Sequence, residues 1–179
     1  PGLLLGIRSE ALTDFITDLS EEIVKIEPSV MLHPNIIGAY EKNKERALSQ
    51  SGLTVTADFD SDVKPNYARQ AITTVEGKTF LENSTLHHEV FGPFSMVVQC
   101  EDATQLESII SALEGQLTGT VISDNGELNN YTAVLDALQN RVGRIIFNGV
   151  PTGVEVCPSM QHGGPYPAST DSRFTAVGV

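Results

Sequence analysis

The sequence predicts an α/β fold in which a mainly parallel sheet carries helices on both faces. Strand-like and helix-like patterns alternate along the second half of the chain, an order typical of parallel β-α-β units with right-handed crossovers. Hydrophobic residues make up 40% and charged residues 19% of the chain, as in globular proteins. Because 179 residues suffice for one substantial core, we expect a single domain over residues 1–179.

The first half of the chain is predicted to begin with a strand and two helices. Leu3–Ile7 is a continuous apolar run, as expected for a strand buried on both faces. Ser9 can cap the helix that follows, in which apolar residues recur at helical spacing. A second helix is predicted after His33, Pro34 and Asn35, through about Ser51, with Gly52 closing it. Its inner face comprises Ile36, Ile37, Tyr40, Ala47 and Leu48.

The rest of the chain is predicted as shorter, more regular elements. Short β-like segments cover 54–57, 68–75 and 79–81, with turn residues between them. Beyond them we expect a strand over 96–100, a helix over 102–113, a strand over 119–123, a helix over 128–138 and a strand over 144–147. After these elements, Gly, Pro, Ser and Thr make the composition loop-like.

The charge, the apolar runs and the cysteine count argue against several kinds of partner and scaffold. The net charge of −12 argues against nucleic acid as a partner, because nucleic-acid binding needs Lys and Arg to neutralise phosphates. No apolar run approaches the roughly 20 residues that span a bilayer, and no signal-peptide pattern opens the chain. We therefore expect a cytoplasmic protein with no nucleic acid and no membrane partner. Two cysteines are too few for a disulfide scaffold or a four-Cys zinc site.

Two short motifs imitate metal sites without completing them. The run from Asp58 resembles the start of a calcium loop, but the sixth and twelfth positions, which need Gly and Glu, hold Val63 and Arg69. His87 and His88 are adjacent, and neighbouring side chains of an extended segment point to opposite faces. We therefore predict no metal site. The chain also has no Gly-rich phosphate-binding motif of its own.

The strongest motif is Glu89, Phe91, Gly92 and Pro93 in the order Glu-x-Phe-Gly-Pro, directly before a strand. A carboxylate can accept hydrogen bonds from both hydroxyls of a diol, and an aromatic face suits a planar ring. The motif resembles that of the aldehyde dehydrogenase superfamily. The resemblance implies that NAD or NADP is the cofactor, with Glu89 accepting from the nicotinamide ribose hydroxyls and Phe91 packing beside the ribose and nicotinamide.

The resemblance continues on both sides of this motif. The family's Gly-x-(apolar)-x-Asn pattern matches residues 143–148, and its later Gly-Gly pair matches Gly163 and Gly164. The opening strand and helix resemble the elements directly after the nucleophilic Cys, which implies a nucleophile about three residues before Pro1. The chain is then a fragment of the catalytic domain, with the N-terminal NAD(P)-binding domain absent. It would contain no catalytic residue and would be inactive alone.

The implied reaction oxidises an aldehyde to a carboxylic acid. A Cys thiolate attacks the aldehyde carbon, hydride passes to the nicotinamide, and water activated by a Glu base releases the acid from a thioester. The 151–158 loop resembles the subgroup that oxidises 2-oxoglutarate semialdehyde. This resemblance implies that Val154, Val156 and Cys157 line the substrate side. His162 departs from the family, which has an aromatic residue there, and the Lys usual after the Gly pair is missing.

Two alternatives remain open. The chain could instead belong to an acyl-phosphate or acyl-CoA reductase of the same fold, or be a non-enzymatic interaction module that begins near Pro1. The residues that distinguish NAD from NADP lie upstream in the family. Besides a small-molecule aldehyde, we expect a second copy of the chain as a partner, in a homodimer or homotetramer, because a fragment exposes apolar surface.

Overall fold

A computed structural model of the protein describes residues 2–124, 126–150, 162–171 and 173. The chain divides into two compact units, Pro1–Asp102 and Ala103–Val179, and each is considered by itself. The single domain expected over residues 1–179 stays a prediction.

The first unit contains most of the predicted elements. In chain order these are β1 (Leu3–Ile7), α1 (Glu10–Ile23), β2 (Ser29–Val30), α2 (Pro34–Leu48), β3 (Leu53–Asp58), β4 (Tyr67–Ala68), β5 (Ala71–Glu76), α3 (Gly77–Glu82), a 3₁₀ turn (Ser84–His87) and β6 (Phe94–Cys100). Four strands form one sheet in the order β1-β6-β5-β3. In this sheet β6 is parallel to both β1 and β5, whereas β3 pairs antiparallel with β5. The short strands β2 and β4 pair antiparallel with each other.

The core of this unit forms around the central strand β6. Met96, Val97 and Val98 are all nearly inaccessible to solvent, as expected of a strand with a neighbour on each side and layers on both faces. Val97 packs in a cluster with Ile72 of β5 and Ile16 of α1. Partly buried residues of α1 and β1 extend this cluster: Leu4, Leu12, Leu19 and Ile23.

Two predictions about this unit are wrong. The first is that β1 is buried on both faces; all five of its residues are only half-buried, because β1 lies at an edge of the sheet. The second is that residues 79–81 are β-like; they lie within α3. Here the complete burial of Phe80 is achieved on a short helix, so packing overrides the β-propensity of Thr, Phe and Leu.

The helix ends follow the signals in the sequence. The Ser9 hydroxyl accepts a hydrogen bond from the Leu12 amide at 3.1 Å, as an N-cap does. The His33 ring nitrogen Nδ1 accepts from the Asn35 amide at 3.1 Å at the start of α2. The turn after α2 passes through Gly52 at φ +83°, a left-handed conformation that glycine adopts without steric cost.

The second unit contains the parallel β-α-β arrangement that the alternating pattern predicted. Its elements are α4 (Ala103–Ala112), β7 (Gln116–Val121), a 3₁₀ turn (Glu127–Asn130), α5 (Thr132–Gln139) and β8 (Val142–Phe147). Strands β7 and β8 pair in parallel, with α5 between them in sequence. The predicted helix over 128–138 is divided into the 3₁₀ turn and α5. The α/β class is confirmed, and the antiparallel pairs of the first unit make its strands mixed rather than purely parallel.

No helix in the described parts of the chain has both the length and the apolar character needed to cross a membrane.

Candidate functional site

The Glu-x-Phe-Gly-Pro motif forms the loop at the start of β6, which we call the 89–93 loop. Glu89 is exposed, and Phe91 keeps 62% of its surface accessible. Val90, between them, is buried at 7% exposure. The loop is therefore attached to the core through Val90 and presents a carboxylate and an aromatic ring to the outside.

Backbone hydrogen bonds tie the end of this loop to the sheet. The Phe94 amide donates to the Gly92 carbonyl at 2.8 Å, which closes a tight turn. The Ala71 amide, at the start of β5, donates to the Pro93 carbonyl at 3.0 Å. These two contacts fix the loop where β5 and β6 begin.

A tyrosine of α2, Tyr40, contacts the same loop at Gly92 and Pro93. The Tyr40 side chain is fully buried, and its hydroxyl lies 2.6 Å from the Arg69 carbonyl and 3.3 Å from the Pro93 carbonyl. Gly92 lies directly against the Tyr40 ring, so any Cβ at this position would overlap ring atoms. Burial, assisted by the negative charges of Glu41 and Asp58, raises the pKa of Tyr40 above its usual value. Like any tyrosine, Tyr40 is a hydrogen-bond donor at neutral pH, and its raised pKa extends this to more alkaline pH.

The chain also begins close to this loop. Leu3 pairs with Met96 in the parallel ladder of β1 and β6, and the Met96 amide donates to the Gly2 carbonyl at 3.0 Å. Because parallel strands start at the same end of a sheet, Gly2 and the 89–93 loop lie at one end of the first unit.

Cys100 and His87 of the first unit are held in place by packing and hydrogen bonds and do not form a reactive site. Cys100 is fully buried, and burial together with the charge of Asp102 raises the pKa of its thiol to about 11. It is therefore protonated at neutral pH and unsuited to nucleophilic attack. The ring of His87 stacks on Phe80 at 4.4 Å, and its Nε2 lies 2.8 Å from the Phe80 carbonyl. No group of three or more potential metal ligands occurs among the described residues.

The proposed substrate-side residues Val154, Val156 and Cys157 lie outside the described residues, so their assignment stays a prediction. The Gly-Gly pair that follows them is described. A Cβ on Gly143 would overlap the Gly163 carbonyl, and one on Gly164 would overlap the Gln116 carbonyl. These glycines allow the segment after residue 161 to pack directly against the backbone where β7 and β8 begin.

Asn148 closes the opposite end of this strand pair. Its side-chain Nδ2 donates to the Ser123 carbonyl at 3.0 Å, while the Ser123 amide donates to its Oδ1 at 2.9 Å. Its backbone has φ +48°, a conformation that Asn tolerates better than most residues. The Asn of the family-like pattern therefore joins the segments that follow β7 and β8. The sequence pattern contains Asn148 but does not predict this pairing with Ser123.

Comparison with known proteins supports the resemblance over the whole chain. The chain is 37% identical over 180 residues to alpha-ketoglutaric semialdehyde dehydrogenase of Acinetobacter baylyi, and 35% identical over 179 residues to alpha-ketoglutaric semialdehyde dehydrogenase 2 of Azospirillum brasilense. Each alignment covers 100% of this chain and 34% of the relative. The chain thus spans about a third of the length of the curated relatives it matches. No family model matches the chain.

Solved structures agree with this result. The NAD-bound Delta-pyrroline-5-carboxylate dehydrogenase of Mycobacterium tuberculosis superposes with a TM-score of 0.71 at 17% identity, over 92% of this chain and 31% of that one. The chain has the aldehyde dehydrogenase fold. Succinic semialdehyde dehydrogenase of Streptococcus pyogenes, solved with NADP+, gives a TM-score of 0.70 at 16% identity, over 91% of this chain and 36% of that one. The aldehyde dehydrogenase resemblance predicted from the motifs is confirmed.

Proposed function

We propose that this chain is part of an NAD(P)-dependent aldehyde dehydrogenase that oxidises 2-oxoglutarate semialdehyde to the carboxylic acid. The observation that carries the proposal is 35–37% identity, over the whole chain, to two alpha-ketoglutaric semialdehyde dehydrogenases. The proposal includes the localisation and assembly expected from the sequence, a cytoplasmic homodimer or homotetramer.

The 89–93 loop presents side chains that can line one side of a binding site for a nicotinamide cofactor. Such a cofactor supplies a hydride acceptor when it is bound. The exposed Glu89 carboxylate can accept hydrogen bonds from both hydroxyls of a ribose. The exposed face of Phe91 can pack beside the sugar and the flat ring attached to it. Both groups extend from one loop whose backbone is fixed to the sheet, so they can bind without ordering a flexible segment.

The pairing of β1 with β6 supports the proposed location of the nucleophile. The family resemblance implies a Cys about three residues before Pro1. Gly2 lies beside Met96, at the end of the sheet where the 89–93 loop is found. A Cys at that distance would therefore lie within reach of a cofactor held by Glu89 and Phe91. The part of the proposal that assigns Val154, Val156 and Cys157 to the aldehyde side rests on the family resemblance alone.

Turnover by the full natural gene product tests this function. We expect reduction of NAD or NADP, measured at 340 nm, that depends on 2-oxoglutarate semialdehyde. We expect the 179-residue chain alone to give no turnover, because the proposed nucleophile lies outside it. Turnover by that chain alone would contradict the proposed position of the nucleophile. Oxidation of NADH or NADPH with an acyl phosphate or acyl-CoA, and no aldehyde oxidation, would replace the proposal with a reductase of the same fold.

A further inference from the structure

Tyr40 is a buried residue whose contacts exceed the needs of core packing. Its hydroxyl has one proton to donate, which two backbone carbonyls share: that of Arg69 at 2.6 Å and, more weakly, that of Pro93 at 3.3 Å. These carbonyls lie in different segments, one directly before β5 and one directly before β6. One phenol on α2 therefore connects the helix to both segments.

The ring of Tyr40 also determines the path of the 89–93 loop. Gly92 lies against the ring so closely that no side chain fits between them. The loop backbone thus rests on the aromatic face, while the Pro93 carbonyl faces the hydroxyl of the same residue. Steric support and hydrogen bonding act together on two consecutive residues.

The two exposed residues of the loop depend on this support. Glu89 and Phe91 themselves face outward, so their positions are set by the backbone on either side. Val90 anchors the loop between them, and the Gly92-Pro93 turn anchors it after Phe91. If the Gly92-Pro93 turn loses its contact with Tyr40, the backbone of Phe91 is free to shift as well, because Phe91 directly precedes Gly92.

We infer that Tyr40 is a positioning residue for nicotinamide-cofactor binding, holding the 89–93 loop so that Glu89 and Phe91 are pre-arranged for the ribose and nicotinamide. This inference rests on the proposed function. It concerns a side chain that is buried and does not touch the cofactor, and it makes α2 part of the site's support.

Tyr40→Phe tests the inference in the full natural gene product, because it removes the hydroxyl and keeps the ring that fills the core. We expect the dissociation constant for NADH or NADPH, from cofactor fluorescence, to rise about tenfold, equivalent to about 1.4 kcal/mol. We also expect faster amide hydrogen exchange in the 89–95 segment without cofactor. Tyr67→Phe is the matched control, since it removes a tyrosine hydroxyl from β4 of the same unit. Gly92→Ala approaches the same contact from the loop side and should have the same local effect.

The outcomes separate this inference from the proposed function. Unchanged exchange in the 89–95 segment and unchanged cofactor affinity in Tyr40→Phe would overturn the inference. Faster exchange spread evenly over the unit, with no change in affinity, would also overturn it by making Tyr40 an ordinary core residue. Failure of the unsubstituted protein to bind either cofactor would refute the proposed function, and local exchange would still report whether Tyr40 holds the loop.

Discussion

Replacing Asn148 with Ala should destabilise the second unit by an amount that its contacts allow us to estimate. The change removes two hydrogen bonds between the side chain and the Ser123 backbone, at 2.9 and 3.0 Å. Both are exposed, so each contributes at the lower end of the usual range, about 0.5–1 kcal/mol. Ala at φ +48° adds a steric cost of about 1 kcal/mol. The expected loss in the free energy of unfolding is therefore about 2–3 kcal/mol.

Two companion substitutions separate these contributions. Asn148→Gly loses both hydrogen bonds but relieves the backbone strain, so it should cost about 1–2 kcal/mol. Asn148→Asp keeps the Oδ1 acceptor for the Ser123 amide but places a carboxylate oxygen against the Ser123 carbonyl, so it should be less stable than the unsubstituted protein. Urea unfolding followed by circular dichroism measures all three variants. Equal stability of Asn148→Ala and the unsubstituted protein would refute this account of how the segments after β7 and β8 are joined.

Three further predictions concern the first unit. Asp58→Asn should lower the free energy of unfolding in urea by about 1–2 kcal/mol more than Lys44→Met does. The reason is that Asn leaves the charge of Lys44 unpaired on a side chain only 8% exposed, whereas Met leaves that of Asp58 on a side chain 44% exposed. The reverse order of stability would contradict this prediction. Glu89→Gln should weaken NADH binding about tenfold, through loss of charge-assisted hydrogen bonds, whereas Glu82→Gln should not; equal titration curves would argue against the role of Glu89. The free energy of unfolding should fall as pH rises from about 8.5, the usual pKa of an unfolded Cys, to about 11. Over that range the unfolded thiol loses its proton while the folded Cys100 thiol retains it. Cys100→Ala should reduce this slope, and an unchanged slope would contradict the raised pKa of Cys100.

Local signals in the sequence predicted much of the fold. The start of α1 followed from Ser9 and the apolar spacing after it, since capping and helical periodicity involve residues within one or two turns. The β6 strand likewise followed from its apolar run. Position within the sheet could not be derived in this way. The half-burial of β1 results from its place at the edge, which is a property of the assembled sheet.

The candidate site was predictable to the extent that it lies in one motif. Glu89 and Phe91 are two residues apart, and their exposure agrees with the role that the resemblance implies. Tyr40 appeared in the sequence only as one apolar position on the inner face of a helix. Its contact with Pro93 joins residues 53 positions apart, and no local pattern carries that information. The α3 helix was missed for a related reason, since burial of Phe80 outweighs local propensity.

The proposed function requires the 89–93 loop to contact the nicotinamide end of the cofactor. Residues 1–179 contain no tryptophan, so in the full natural gene product Phe91→Trp adds one indole at the proposed contact, and the unsubstituted protein gives the background fluorescence of any indole elsewhere. Oxidised NAD or NADP should quench that indole's fluorescence saturably, because quenching by these cofactors requires contact with the ring. An indole introduced by Phe15→Trp, on the exposed side of α1 at 47% exposure, should not be quenched. Cofactor binding that leaves the fluorescence of the Phe91→Trp protein unchanged would contradict the proposed contact.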